Sequence, residues 1–428
     1  MSGNFDNRRR PELAEAPSSC EPVVLPIDAA VCEHLSQGYW DWRAAFDRDP
    51  YASPLQHPDY VLSELATGRI KSRLNAVVVR DGADDNHPTL GILVPKTVRT
   101  SQVSGIGPGW TLQGLRLAGG RALGDVASPG QLNRMLKRAT RHAADSGADF
   151  LLIEDLDTAT PLYRAVQEHA SHGCQLFASH DFQPRRYIDF PESESEYWAT
   201  FSSRSLSKFR RNLKKFGRTE LQRVSEIDQV PDFLRAAHEI SKESWQSCQF
   251  GLRIRNDDAE LRQLTILAQH GMLRSYLWWI EGRPAAFAVC NQHGGCFRYE
   301  EIAYRAEYGQ FSPGRTMLHQ IVEDLLRHDS PSVLDFGGGD AEYKQQFANR
   351  ESSSGSVWLV PQAPRAQVTL KYLKLCRWIR STGRAVLLQA GLGTRARQWI
   401  RSRRSTVESA TREESQPAPT AVSANFEK

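Results

Sequence analysis

Glu300, Glu301, Tyr304, Asp340, Tyr343 and Lys344 are carboxylates, phenols and an amine of the kinds that pass protons, and they share one stretch, Arg298 to Ala348. The same stretch holds the turn Gln310-Phe311-Ser312-Pro313-Gly314-Arg315-Thr316. Met317, Ile321, Leu325 and Leu326 recur at helical spacing and stop before Ser330-Pro331, so this turn opens a helix. Unpaired backbone N–H groups, the positive end of the helix dipole and Arg315 then face one small volume, which suits an anion such as a pyrophosphate. Gln310, Ser312, Gly314, Arg315 and Thr316 are the candidates for holding it. Direct acyl transfer asks for little else: a donor held at its phosphates, a positioned acceptor, a base and an acid. Asp340 is a candidate proton acceptor, Tyr343 a candidate proton donor, and Lys344 a cation that could orient an anionic group.

Residues 296 to 304 have strand character, and Val333-Leu334-Asp335-Phe336 reads as a short buried strand ending in Gly337-Gly338-Gly339. Glu300 and Glu301 are adjacent on the first of these strands. They are expected on opposite sheet faces, with only one reaching a central cleft, and spacing does not say which. Asp340 has a second reading as a helix N-cap before Tyr343 and Lys344.

The run SPGRTMLHQIVEDLL followed by LDFGGGDAEYKQQFA resembles the GNAT-type acyltransferase domain of the CelD/BcsL-like proteins of cellulose and exopolysaccharide biosynthesis, relatives of the FemAB peptidyltransferases. The likeness covers residues from about 200 to 350. It implies a mixed α/β (α+β) fold, a GNAT-like sheet flanked by helices, with two such units in tandem. It also implies an N- or O-acyltransferase that takes acyl-CoA, acetyl-CoA above all, as co-substrate without a metal. The acceptor would be an anionic group, saccharide or amine of polysaccharide or cell-envelope biosynthesis. A FemAB-like alternative uses charged tRNA as donor. Arg204, Lys208, Arg210, Arg211, Lys214, Lys215 and Arg218 would then form a phosphate track on a helix that docks through Leu206, Phe209, Leu213 and Phe216. General GNAT enzymes carry Gln/Arg-x-x-Gly-x-Gly/Ala at the turn, whereas here three residues separate Gln310 from Gly314 and no second glycine follows. That departure motivates a third class, a catalytically degenerate fold serving as an assembly or regulatory subunit.

The surrounding elements divide the chain into a disordered 1–22, an N-terminal GNAT-like unit 23–190, an acyltransferase unit 191–362, cationic amphipathic helices 363–404 and a disordered tail 405–428. In the first unit, helices are expected around Trp42, over 129–145 and around Leu162, with a strand from Asp149. Arg186 to Pro191 has an edge-strand pattern stopped by proline. In the second unit, helices over 231–245 and 258–270 precede strands 273–280, 284–291 and 296–304, and Val357 to Val360 is the last strand. Farther on, Tyr372, Leu375, Cys376 and Ile379 share one helical face, with Trp378 and Trp399 near arginines.

At 428 residues and 40% hydrophobic content the chain can bury a core without staples. Its seven cysteines are scattered with no Cys-x-x-Cys pair, as in a reducing cytoplasm. No apolar run approaches the about 18 residues of a membrane span. His-Glu-x-x-His, a P-loop and Gly-x-Ser-x-Gly are absent, which argues against metalloprotease, NTPase and hydrolase chemistry. Residues 365 to 404 carry eleven Arg or Lys and no Asp or Glu. A peripheral contact with an anionic membrane, at the inner face, is the expectation for them.

Overall fold

The computed structural model describes residues 24–26, 37–67, 72–81, 89–124, 128–170, 174–244, 247 and 251–389. The expected disordered ends, Trp399 and the cationic stretch beyond residue 389 lie outside them. Within the described residues thirteen strands form one mixed sheet: β1 Val24–Pro26, β2 Val77–Arg80, β3 Leu90–Arg99, β4 Thr111–Leu117, β5 Leu151–Asp157, β6 Gln175–Ala178, β7 Gln183–Asp189, β8 Thr219–Val224, β9 Ser275–Ile280, β10 Arg283–His293, β11 Cys296–Tyr304, β12 Val333–Gly338 and β13 Arg350–Val360. The spatial order is β1-β2-β3-β4-β5-β13-β7-β12-β11-β10-β9-β8, with β6 also on β13.

Two steps in this sheet are parallel, β4 to β5 and β11 to β12, and each is reached through a crossover helix, Pro129–Asp145 and Pro313–His328 respectively. Every other pairing is antiparallel. The two halves therefore repeat one plan, which no internal sequence repeat discloses. Each half also completes its sheet with a strand from the other. β7, from the first half, pairs with β12, whereas β13, from the second, pairs with β5. The segment expected at an edge is thus an interior strand, flanked by β12 and β13. Its partners lie far along the chain, so its local pattern could not show them.

The repeat extends to a detail of register. Aligning the parallel pairs sets Leu151 against Val333. Between Ile153 and Leu156 β5 advances three residues while β13 advances two, and between Asp335 and Gly338 β12 advances three while β7 advances two. Both strands carry a bulge at the same place, and both bulges hold a left-handed residue at the same place, Asp155 with φ 49° and Gly337 with φ 64°. Glycine reaches that conformation without strain, whereas aspartate does so at a cost of about 1–2 kcal/mol.

Side chains alternate between two faces, as a pleated sheet requires. Phe287 enters one core and its neighbours Ala286 and Ala288 another. The first of these cores spans both halves: Trp42, Phe46, Ile92 and Val94 pack in one cluster with Phe233, Ile240, Leu267 and Phe287. At its rim the Asp59 carboxylate accepts from Tyr39 Oη at 2.8 Å and from His270 Nε2 at 2.7 Å, which ties the helix Pro58–Ala66 to the end of the helix Asp258–Gln269. Helices Pro129–Asp145 and Pro161–Ala170 cover a separate core of the first half, whereas Ser203–Lys214 and Pro313–His328 cover one of the second. Among the described residues no helix is long and apolar enough to cross a membrane.

Strand exchange makes the halves interdependent, because removing either leaves the other with an open interior edge. Full-length protein should melt in a single transition by circular dichroism. Fragments 1–190 and 191–428 produced separately should give no cooperative melt, and a cooperative 1–190 fragment would show that the exchanged strands are dispensable.

Candidate active site

Where β11 leaves β12 and β4 leaves β5, the sheet opens into a cleft of about 1040 Å³ reaching from one half to the other. Its walls include Arg116 and Glu154 from the first half, Arg185 from the exchanged strand, and Glu300, Asp335 and Tyr343 from the second. Arg185 organises the floor. Its Nε donates to Asp335 Oδ1 at 3.1 Å, its Nη2 donates to Oδ2, and its Nη1 donates to the backbone carbonyl of Asp155 at 2.8 Å. Asp335 Oδ1 also accepts the N–H of Gly337 at 2.8 Å. One guanidinium from β7 thus fastens the bulges of both halves.

Lys344 clamps the second bulge from above. Its Nζ donates to the carbonyls of Phe336 at 2.8 Å and Gly338 at 2.9 Å, and burial lowers its proton affinity. Tyr343, beside it in the cleft, is pushed up to about 12 by burial and stays protonated. Asp340 is turned away. It accepts from Arg186 Nη1 at 2.9 Å and from Gln345 Nε2 at 3.1 Å, it does not line the cleft, and Ala341 rather than Asp340 caps the short helix Glu342–Phe347.

Glu300 and Glu301 both line the cleft, contrary to strict alternation along a strand. The reason is a bulge: Val289 pairs with Glu301 and Cys290 with Tyr299, so Glu300 is an extra residue between them. Glu301 is held by Arg253, whose Nε donates at 2.8 Å. Glu300 has a weak contact, Asn291 Nδ2 at 3.4 Å, and is exposed to water in the cleft although protein atoms crowd around it. Burial raises the proton affinity of both carboxyls, with Arg298 opposing at Glu300 and Arg253 opposing at Glu301. Asp155, on the opposite wall, is likewise raised by burial, against the pull of Arg185.

The anion turn lies one layer from the cleft. Residues Ala306–Phe311, Gln310 among them, form a 3-10 turn, and Ser312 follows in the left-handed region with φ 58°. That conformation lets the Ser312 carbonyl accept both the N–H of Thr316 at 3.2 Å and its hydroxyl at 3.3 Å, so Thr316 is turned into the helix. A Cβ on Gly314 would meet Ile302 Cδ1 at 3.3 Å and the Tyr304 ring at 3.8 Å. This places Tyr304 against the turn, while Ile302 touches both turn and cleft. Arg315 donates to Glu342 at 3.1 Å, next to Tyr343, and its buried Nε has no partner among the described residues.

Residues 202–345 match the family model of the GNAT acetyltransferase domain. The fold is GNAT-like. No curated protein matches the chain in sequence. Among solved structures it is similar to FemX, at 14% identity and TM-score 0.55, covering 77% of this chain and 98% of that one. The C-terminal domain of a putative lysylphosphatidylglycerol synthetase from Agrobacterium fabrum is 13% identical at TM-score 0.47, covering 78% of this chain and 94% of that one. GNAT domains generally use acyl-CoA. The unpartnered Arg315 Nε and the helix start at Pro313 provide donors of the type a phosphate needs.

Several cleft residues escaped the sequence reading: Arg185, Asp335, Asp155, Arg253 and Tyr299, whose buried hydroxyl has no partner among the described residues. Only Asp335 left a trace, an acid within an otherwise apolar run. Asp335→Asn removes the buried charge and sets an amide donor against the Arg185 fork, leaving a half-buried cation without its counter-ion. Such a break typically costs about 3–5 kcal/mol, and urea unfolding should show a loss of that size with little change in the slope of the transition.

Proposed function

We propose that this chain is an N- or O-acyltransferase that takes acyl-CoA as donor and a saccharide or amine as acceptor, in polysaccharide or cell-envelope biosynthesis. The observation that carries it is the divergence of β11 from β12 beside the anion turn, within the GNAT-matched residues, with the bulged Glu300 on the wall of the opening. The donor's phosphates would meet Arg315 and the free N–H groups of Gly314 and Arg315, and its acyl end would enter the cleft past Ile302. In direct transfer the acceptor's nitrogen or oxygen bonds to the acyl carbon as the carbon–sulfur bond breaks. Glu300 takes the proton the acceptor loses, directly or through a water, and Tyr343 gives one to the thiolate. The polar far wall, with Lys96, Arg116, Glu154 and His180, suits a hydroxyl-rich or charged acceptor.

A second reading, aminoacyl transfer from charged tRNA, is favoured by the basic helix Ser203–Lys214 and its extension to Arg218. None of its seven cations forms an ion pair among the described residues. Lys215 sits 6.0 Å from the ring of Phe311 at the anion turn. The fold likeness to FemX is compatible with this reading. Ribonuclease-sensitive activity would select it over acyl-CoA, and donor binding without turnover would select a non-catalytic subunit.

Replacing Arg315 with Ala should weaken CoA binding by about 1.5–3 kcal/mol, roughly ten- to 150-fold in Kd, because a charge-assisted contact is lost. Calorimetry with an intact fold and unaltered affinity would remove the turn from consideration. Glu300→Gln should cut turnover about 10²- to 10⁴-fold. The raised proton affinity of Glu300 fixes the sign of a further effect. Activity should fall as pH drops through the raised value, since the base must be ionised, and Glu300→Gln should abolish that limb. Because Glu300 is exposed to the cleft, its raised proton affinity bears little on folding, and the same variant should melt close to the parent. A variant that keeps its turnover, or loses it only by unfolding, would disqualify Glu300.

A further inference from the structure

The helix Pro364–Gln389 is docked by one face and apolar on another. Ala366, Leu370 and Leu373 are buried with Phe150, Phe177 and Trp358. Polar contacts reinforce the docking: Tyr372 Oη donates to the Pro108 carbonyl at 2.9 Å, Lys374 Nζ to Gln175 at 3.0 Å and Arg377 Nη2 to Asp181 at 2.7 Å. The sequence had placed Tyr372, Leu375, Cys376 and Ile379 on one face. Docking divides them, burying Cys376 and leaving Leu375 and Ile379 outside. With Val368 they form a stripe at spacings of seven and four residues, 67%, 53% and 46% exposed, and Trp378 beside it is 63% exposed. These four are half of the large hydrophobic residues found exposed among the described residues. A fixed helix showing such a stripe to water marks a binding surface.

We propose that this outer face lies on an anionic lipid bilayer. Charge selects that occupant. Lys371 stands within the stripe, and no Asp or Glu occurs from Pro364 to Arg404. The two carboxylates that the helix does touch, Asp149 and Asp181, are each paired with one of its arginines, Arg365 and Arg377. An apolar stripe interrupted by Lys371, on a helix without a carboxylate and with a tryptophan at its margin, is the pattern of a helix lying in the headgroup plane. A second copy of the chain is a poorer occupant, because apposing two such faces brings Lys371 and its neighbours against their own copies. The surface is remote in sequence from the anion turn, and the inference does not rest on the acyl-transfer reading.

Co-sedimentation of the full chain with vesicles decides it. Protein should pellet with vesicles of phosphatidylglycerol in phosphatidylcholine, pellet far less with phosphatidylcholine alone, and come off as salt is raised. The triple substitution Val368→Gln, Leu375→Gln and Ile379→Gln touches only exposed positions. It should lower the anionic-vesicle partition coefficient at least tenfold while leaving the circular dichroism melt unchanged. The proposal is overturned if the parent stays in the supernatant, if it binds both vesicle types equally, or if the triple variant partitions like the parent, which would assign binding to the basic stretch beyond the helix. Sedimentation equilibrium showing a dimer that the triple variant dissolves, without vesicle binding, would give the face to a second copy instead.

Discussion

The contact between Arg185 and the two bulges is the constraint on which the site depends. A guanidinium offers five donors in a rigid fork, and here three of them are used at once: two on the Asp335 carboxylate and one on the Asp155 carbonyl. Because Arg185 comes from the exchanged strand β7, the contact exists only when first-half chain is inserted into the second half's sheet. Folding of the whole sheet and assembly of the cleft are therefore one event. The charge of Arg185 remains firmly bound because Asp335 outweighs the penalty of burial.

The repeated bulges explain why the sheet opens where it does. An extra residue in β5 and another in β12 interrupt the ladders beyond the parallel pairings, and the sheet spreads into a cleft in place of continuing. Glycine meets the left-handed demand in the second half, whereas Asp155 meets it in the first under strain. Ser312, at the anion turn, is another of the four non-glycine residues with positive φ among those described. Strained residues persist where the surroundings hold them; Asp155 lines the opening, and Ser312 lies at the turn behind it.

Periodicity and breaker residues were enough to read many of the elements, though not β4, β6, β8 or the helix Pro58–Ala66. The helix Pro129–Asp145 and the strand Cys296–Tyr304 match their expected bounds, and Pro313 starts the helix after the anion turn. What could not be read is pairing across long sequence separations. The exchange of β7 and β13 depends on contacts roughly 150 to 200 residues apart, and a seven-residue strand pattern is the same at an edge or in the interior. The bulge at Glu300 was hidden for a related reason, since an extra residue is visible only against its partner strand. Tyr343, Lys344, Glu300 and Glu301 do converge on the cleft, Tyr304 and the anion turn lie just behind it, and Asp340 points elsewhere because Arg186, another residue of β7, claims it.

That competition for cations separates the carboxylates by what they can do. Asp335 is locked by Arg185, Glu301 is engaged by Arg253, and Asp340 is satisfied outside the cleft. A carboxylate in a charge-assisted pair surrenders its best lone pairs and gains little by taking a proton. Glu300 and Asp155 are the two on the cleft walls with no ion pair among the described residues, and burial raises the proton affinity of both. They sit on opposite halves, one in a bulge of β11 and the other in the bulge of β5, at positions the repeat does not relate, so each wall carries a carboxyl able to accept a proton. Glu300 is the one on the wall that also carries Ile302, the residue in contact with the anion turn. A group that must act on an acyl carbon delivered from that turn has to stand on that side.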